Sequence, residues 1–192
     1  MKKIAVWLCL LFSGALLAQS GPNNHWLQAF EDSSELFSID GYRLFRYRSP
    51  TPPSHDQAET LSTVQLLELQ KTTPKPVLLD VQPLIWKNGL FIEKEPRLHI
   101  PGSIWTPNVG QGELDPAWET YFRHNLEKLT ANNPDFPVVI YCTADCWMSW
   151  NAVKRAAQWG YSQLYWYRDG SDGWQEADQV LVKGKPEPFT LE

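Results

Sequence analysis

The chain has 192 residues, a formal net charge of −5 and 20% charged side chains, which suits one domain with an appended segment. The acidic balance argues against nucleic acid and against an anionic membrane surface as partners.

In chain order, the N-terminus "MKKIAVWLCLLFSGALLAQSG" comes first. Lys2 and Lys3 precede an apolar run of 14 residues from Ile4 to Leu17, which is short for a membrane span. Ala18-Gln19-Ser20 supplies small residues for cleavage. Residues 1–20 therefore read as a secretory signal peptide, with export to the periplasm and no membrane span after cleavage. Cys9 lies inside the apolar run and not after the cleavage site, which argues against a lipoprotein. Losing Lys2 and Lys3 takes the formal charge from −5 to −7. Cys9 leaves as well. Cys142 and Cys146 remain, in an oxidising compartment, and two cysteines are too few for a disulfide scaffold. Their role is local.

Residues 21–57 read as an arm of irregular polarity. Within it, "LFSIDGYRLFRYR" alternates on both sides of Asp40-Gly41, a two-residue hairpin signal. "SPTPPSHDQ" then carries three prolines and reads as a linker or extended loop. The main domain is expected over 58–192. Ser62 with Gln65 forms a capping box before the helical run "LSTVQLLELQ". Val77 to Val81 is a continuous apolar strand ending near Asp80. Asp115 as N-cap and Pro116 at the first helical position open the next helix, with Trp118, Phe122, Leu126 and Leu129 on one face. "FPVVIY" is a buried strand, "SWNAVKRAAQWG" a helix stopped by Gly160, and "QLYWYRDG" another strand. Apolar strands alternating with helices predict an α/β fold, a parallel sheet with helices on both faces. Ligands in such a sheet sit beyond the carboxyl ends of the strands. Cys142 and Asp80 both stand there.

The stretch "VVIYCTADCWMSWNAVKRAAQWGY" concentrates the chemistry. A strand ends, the chain loops through Cys142, Thr143, Ala144, Asp145, Cys146, Trp147 and Met148 to Ser149, and a helix begins there. Backbone N–H groups and the helix dipole at such a start favour negative charge. A cysteine there can titrate low and act as a thiolate. Asp145 opposes this through like charge.

The ordered set "VLLDV", "HIPGSI", strand-Cys-loop-helix, "WGY" and "LYWYRDGSDGW" resembles the rhodanese-like domain, over about Leu61 to Ala177. Asp80 ends the early strand, and His99-Ile100-Pro101-Gly102-Ser103 matches the His-Ile-Pro-Gly signature. Cys142 falls at the nucleophile position. Gly160-Tyr161 and Trp174 match later landmarks. More narrowly, "GYRLFRYRSPTP", "CTADCWMSWNAVKRA" and "YWYRDGSDGW" resemble the exported proteins called PQQ-dependent catabolism-associated CXXCW motif proteins. That group is linked to operons for alcohol oxidation by quinoprotein dehydrogenases. The resemblance implies a periplasmic quinoprotein dehydrogenase system, or a thiol or persulfide donor, as partner. The spacing here is Cys, three residues, Cys, Trp. Unlike an ordinary rhodanese loop, Cys142 to Ser149 holds no arginine or lysine, and it is about one residue longer. Without a guanidinium fork, tight binding of thiosulfate or a phosphate ester is not expected. A backbone N–H cradle remains for a persulfide or small anion.

Three readings of the pair stay open. In the first, Cys142 attacks or accepts sulfur and Cys146 resolves it as a disulfide, as a sulfurtransferase or thiol-disulfide oxidoreductase without a cofactor. Helix residues four apart have Cβ atoms about 5–6 Å apart, and a disulfide wants about 3.8 Å. This reading therefore needs Cys142 outside the helix. In the second, the two thiolates hold Cu(I), completed by His99 or Met148, a spacing similar to that of the exported Sco copper chaperones. A second close ligand pair for zinc is absent, and Trp147 stands where a haem-attachment histidine would. In the third, the domain is a non-catalytic binding module with a stabilising disulfide, although so short a loop gains little from closure.

Around the pair, Trp150, Trp159 and Trp166 are expected in the core. Trp147 either lines the site or packs the helix. Asp80 either orients the loop by accepting its N–H groups or is a plain strand-end carboxylate. His99 is read as turn-forming, and His25, His55 and His124 receive no role. Lys154 and Arg155 read as a solvated helix face. "DGSDGW" reads as a turn, with Asp169 and Asp172 at the rim.

Overall fold

The computed structural model describes residues 36–190. The expected signal segment and His25 lie outside them. The described elements are β1 (Glu59–Thr60), α1 (Thr63–Leu69), β2 (Val77–Asp80), β3 (Ile85–Lys87), β4 (Leu90–Ile92), β5 (Leu98–His99), β6 (Ile104–Trp105), α2 (Pro116–Thr130), β7 (Val138–Tyr141), α3 (Trp147–Gln158), β8 (Leu164–Tyr167), α4 (Gly170–Glu176) and β9 (Val182–Lys183). Five strands form a central sheet in the order β1-β8-β7-β2-β6, and every pairing in it is parallel. The α/β architecture expected from the sequence is the one found.

Alternation along β7 sorts the two faces. Val138 and Ile140 meet Tyr121, Phe122 and Leu126 of α2 and Met148, Ala152, Val153 and Ala156 of α3. Val139 and Tyr141 meet Leu66 of α1 and Trp174 of α4. All four β7 residues are buried, which is what a strand covered on both faces requires. The Ser62–Gln65 capping box closes the start of α1. Asp115 caps α2 by accepting from Ala117 N, and Pro116 follows at its first turn. Asn88 and Gly89, both at positive φ (52° and 77°), turn the β3–β4 hairpin.

Several expectations are corrected. At Asp40-Gly41 the turn is centred one residue earlier. Gly41 N donates to Ser38 O, Ser38 N donates to Tyr42 O, and Gly41 follows at φ 76°. Among the described residues, one bridge, Phe37 to Arg43, flanks it. "DGSDGW" is not a turn but the opening of α4. Gly170 starts it at φ 58°, packed so closely on the Cys142 carbonyl that a Cβ would collide. Arg155 is not solvated; it is buried and donates to the carbonyls of Val109, Gln111 and Gly112. Those carbonyls end no strand and have no other donor from α3, so a guanidinium fork serves three at once. His55, given no role above, is buried against Trp150 and Trp166. The proline segment before β1 is an extended loop docked on the domain, with Thr51 and His55 both buried.

Candidate active site

Four strands end in one row. The register sets Asp80 beside Tyr141 and Trp105, and Tyr141 beside Tyr167. Cys142 follows Tyr141 and so leaves the sheet at its carboxyl edge, next to Asp80's strand. Asp145, at φ 49°, reverses the loop. Cys146 is the N-cap of α3, in extended backbone and with no side-chain capping bond. Cys142 and Cys146 form a disulfide, with Cα atoms 6.1 Å apart. The bridge spans loop to helix start, so Cys142 stands outside the helix. Neither residue is open to solvent: Cys142 is 0% exposed and Cys146 5%.

Below the loop lies a buried ion pair. Arg97 Nε donates to Asp80 Oδ2 at 2.7 Å and Arg97 Nη2 to Asp80 Oδ1 at 3.1 Å. Asp80 also accepts from Gln82 N at 3.0 Å. It takes its N–H from Gln82 and not from the cysteine loop. Its hold on the loop runs through Arg97, whose Nη2 reaches the Cys142 carbonyl at 3.4 Å and whose Nη1 reaches Ser171 Oγ at 3.1 Å. Ser171 N donates to the same Cys142 carbonyl at 3.0 Å. Burial pushes the Asp80 carboxyl up, against the pull of the Arg97 guanidinium. Burial also pushes His99 below its ordinary value, so it is neutral at pH 7 although Asp80 Oδ2 lies 3.8 Å away.

Gln82 is the side chain nearest the chemistry that sequence reasoning missed. Its carboxamide lies 2.9 Å from Cys142 Sγ. Its backbone is pinned on both sides, N–H to Asp80 and carbonyl from Trp105 Nε1 at 2.8 Å. A carboxamide can present oxygen to a thiol or, after a half turn, N–H to a thiolate.

The remaining loop residues are each tied down. Thr143 Oγ1 accepts from Arg48 Nη1 at 2.6 Å. Ala144 N donates to Asp172 Oδ2 at 3.3 Å, which places Asp172 at the rim. Asp145 pairs with Arg168 at 3.4 Å, and Asp169 lies 3.8 Å from the same guanidinium. Trp147 is buried and donates Nε1 to Pro50 O at 3.1 Å; of its two readings, it packs. Met148 is in the core. Ser149 Oγ donates to Cys146 O and accepts from Trp166 Nε1, both at 2.9 Å, so it supports the helix start from within. Trp166 is in the core as expected, while Trp150 and Trp159 are half-buried against it.

The loop has no basic residue of its own, but Arg48, Arg97 and Arg168 reach it from three other segments. Arg97 stands two residues before His99, Gln82 two after Asp80 and Arg168 directly after β8, so all three carry a faint signal as neighbours of strand ends. Arg48 has only its place in "GYRLFRYRSPTP". Among the described residues, no group of three or more His, Cys, Asp or Glu side chains is arranged to hold a metal ion. A cavity of about 610 Å³ lined by Phe37, Tyr42, Glu119, Arg155 and Trp159 includes neither cysteine.

Residues 63–177 match the rhodanese-like domain family. Among solved structures, the chain is similar to a thiosulfate sulfurtransferase from Pseudomonas aeruginosa, at 19% identity over 68% of this chain and 21% of that one, with a TM-score of 0.48. It is similar to EanB in complex with hercynine, at 19% identity over 66% of this chain and 32% of that one, with a TM-score of 0.44. It is also similar to the polysulfide-sulfur transferase homodimer from Wolinella succinogenes, at 16% identity over 66% of this chain and 79% of that one, with a TM-score of 0.40. The chain thus spans a minor part of the first two. No curated protein sequence matches it.

Proposed function

Because the chain belongs to the rhodanese-like domain family, we propose that it carries out sulfur-relay or thiol-disulfide chemistry at Cys142 and Cys146. One observation carries this reading: the residue at the family's nucleophile position is bonded to a second cysteine at the start of the same helix. In the reduced protein, the Cys142 thiolate takes a sulfane sulfur from a donor and becomes a persulfide. The Cys146 thiol then attacks Cys142 Sγ. The Sγ–sulfur bond breaks, the Cys142–Cys146 bond forms, and the terminal sulfur leaves as hydrosulfide. Two thiols are oxidised and one sulfane sulfur is reduced. The disulfide is the end state of that sequence, and an external dithiol returns it to the start.

The setting is proposed with it. The Lys2-Lys3 start and the apolar run to Leu17 support export to the periplasm. The three stretches shared with the CXXCW motif proteins support a partner within a quinoprotein alcohol-oxidation system. The burial of both sulfurs favours one other reading, a binding module stapled by an inert disulfide.

Sulfur transfer from a persulfide donor to the protein, read with the hydrosulfide released and followed in the reduced protein and two variants, tests the proposal. Cys142→Ser abolishes transfer. Cys146→Ser retains a trapped persulfide or mixed disulfide on Cys142. Equal transfer in both variants and the wild type sinks the reading. Equal loss of a bound metal in both points to Cu(I) binding instead.

A further inference from the structure

The arm motif "GYRLFRYRSPTP" precedes the family match, which begins at residue 63. Its second half lies across the cysteine loop. Trp147 N, the first amide of α3, donates to Tyr47 O at 2.8 Å, and Ser49 N donates to Asp145 O at 3.0 Å. These two bonds flank an antiparallel bridge between Arg48 and Cys146. Arg48 then reaches past the backbone, with Nη1 on Thr143 and Nη2 on Asp172 at 2.8 Å. Pro50 O takes Trp147 Nε1, and Thr51 N reaches Asp145 Oδ1 at 3.3 Å. Arg168 clamps the far end, donating to both Thr51 and Asp145. Every one of these contacts lands on residues 143–147 or on their neighbours from β8 and α4. Upstream, the arm is anchored separately. Asn151 of α3 exchanges hydrogen bonds with both backbone groups of Arg43, and Tyr47 OH accepts from Gly112 N.

We propose that residues 47–51 are a strap that closes the cysteine loop, and that exchange of the disulfide with an external dithiol waits on its release. The inference rests on the exchange chemistry proposed above. In that step, a thiolate of the dithiol attacks one sulfur of the pair, the Cys142–Cys146 bond breaks, and the other cysteine leaves as a thiolate. The donor's second thiolate displaces the mixed disulfide. Two electrons and two protons pass to the pair, and the donor ends as a disulfide. An attacking sulfur must approach the S–S bond directly. Sulfurs this buried offer no such approach while the strap is down.

The strap's hold is local. Arg48 is largely exposed, so its pair with Asp172 is weak and its removal does not unfold the domain. Ser49→Pro removes the Ser49 N–H that Asp145 O accepts, together with the Ser49 Oγ bonds to Arg46 O and Arg43 Nη2, so it loosens the strap on both of its faces.

The experiment is reduction of the oxidised full chain by excess dithiothreitol, quenched with acid and read by alkylation mass. R48A and S49P, each verified as folded by thermal melting, are expected to reduce about tenfold faster than the wild type, and the double variant faster still. Equal rates in the folded variants and the wild type overturn the strap and leave the exchange reading standing. A disulfide that no folded variant yields to the dithiol, although the Ser49 and Trp147 amides exchange freely, overturns the exchange reading itself. Should a variant fail to fold, those two amides answer in the wild type. Low urea is expected to raise their exchange and the reduction rate in parallel. Exchange that rises while reduction does not overturns the strap.

Discussion

Among the described residues, Gln82 and Thr143 place polar side-chain atoms near the Cys142 sulfur, at 2.9 and 3.8 Å. In the reduced protein the Gln82 N–H is expected to stabilise the thiolate. Gln82→Leu keeps the size and removes the donor, so it raises the thiol pKa by about one unit, the scale of a single hydrogen bond to a charged group. The pH dependence of iodoacetamide alkylation measures this, and an unshifted profile contradicts it. Arg97 holds a different part of the same edge. Arg97→Ala strands the Asp80 carboxyl in a site with 0% exposure and costs about 3–5 kcal/mol in urea unfolding at pH 7. Protonation of Asp80 relieves the loss, so the deficit shrinks as pH falls. The two cysteines were legible because their residue type and spacing announce chemistry. Gln82, Arg97, Arg48 and Arg168 were not. Their importance comes from the partners that the register and the arm bring to them, and a residue's own identity does not encode a partner distant in sequence.

At the scale of elements, the helices with explicit signals appear where the sequence puts them. Asp115-Pro116 and the Ser62–Gln65 box are local devices whose chemistry closes within four residues. Helix α4 hides because Gly, Ser and Asp favour turns. Tertiary packing of Gly170 on the Cys142 carbonyl and of Trp174 in the core overrides that preference. Helix α3 is fixed just as tightly from its other side. Gly110 packs on the Met148 carbonyl with no room for a Cβ. Gly110→Ala is expected to lower stability by about 1–3 kcal/mol, readable as a shifted denaturation midpoint. The loop before β1 is pinned to α3 by His55. Its Nδ1 accepts from Gln57 N, and its Nε2 donates to Trp150 O at 3.1 Å, which fixes the neutral tautomer. Burial lowers its pKa from 6.5 to about 4. In this window the unfolded chain binds the proton more readily than the folded one. The stability His55 allows is therefore full above pH 6.5 and falls as pH drops toward 4, by at most about 3 kcal/mol. His55→Gln is expected to flatten that slope, and melting curves between pH 4 and 7 show whether it does.

Across the whole molecule, a parallel sheet with helices on both faces follows from apolar strands alternating with amphipathic helices, and the sequence displays that pattern openly. The arm's placement is not displayed. Two backbone bonds at Tyr47 and Ser49 hold it, and backbone groups are the same for every residue type; its side-chain bonds, Arg48 to Thr143 and Asp172 and Arg168 to Thr51, join residues far apart in sequence. The consequence is that the site is built from more than the family's own segment. Residues 63–177 supply the sheet edge, the cysteines and the buried ion pair, and the arm supplies the cover and Arg48. The central claim is that Cys142 and Cys146 act together on sulfur. Its most direct measurement mixes the reduced wild-type protein with a persulfide donor, denatures and alkylates it, and follows intact mass alongside hydrosulfide. The account predicts a protein two hydrogens lighter that takes no alkyl group, with one hydrosulfide released per disulfide formed. A protein that still takes two alkyl groups, gains no sulfur and releases no hydrosulfide contradicts it.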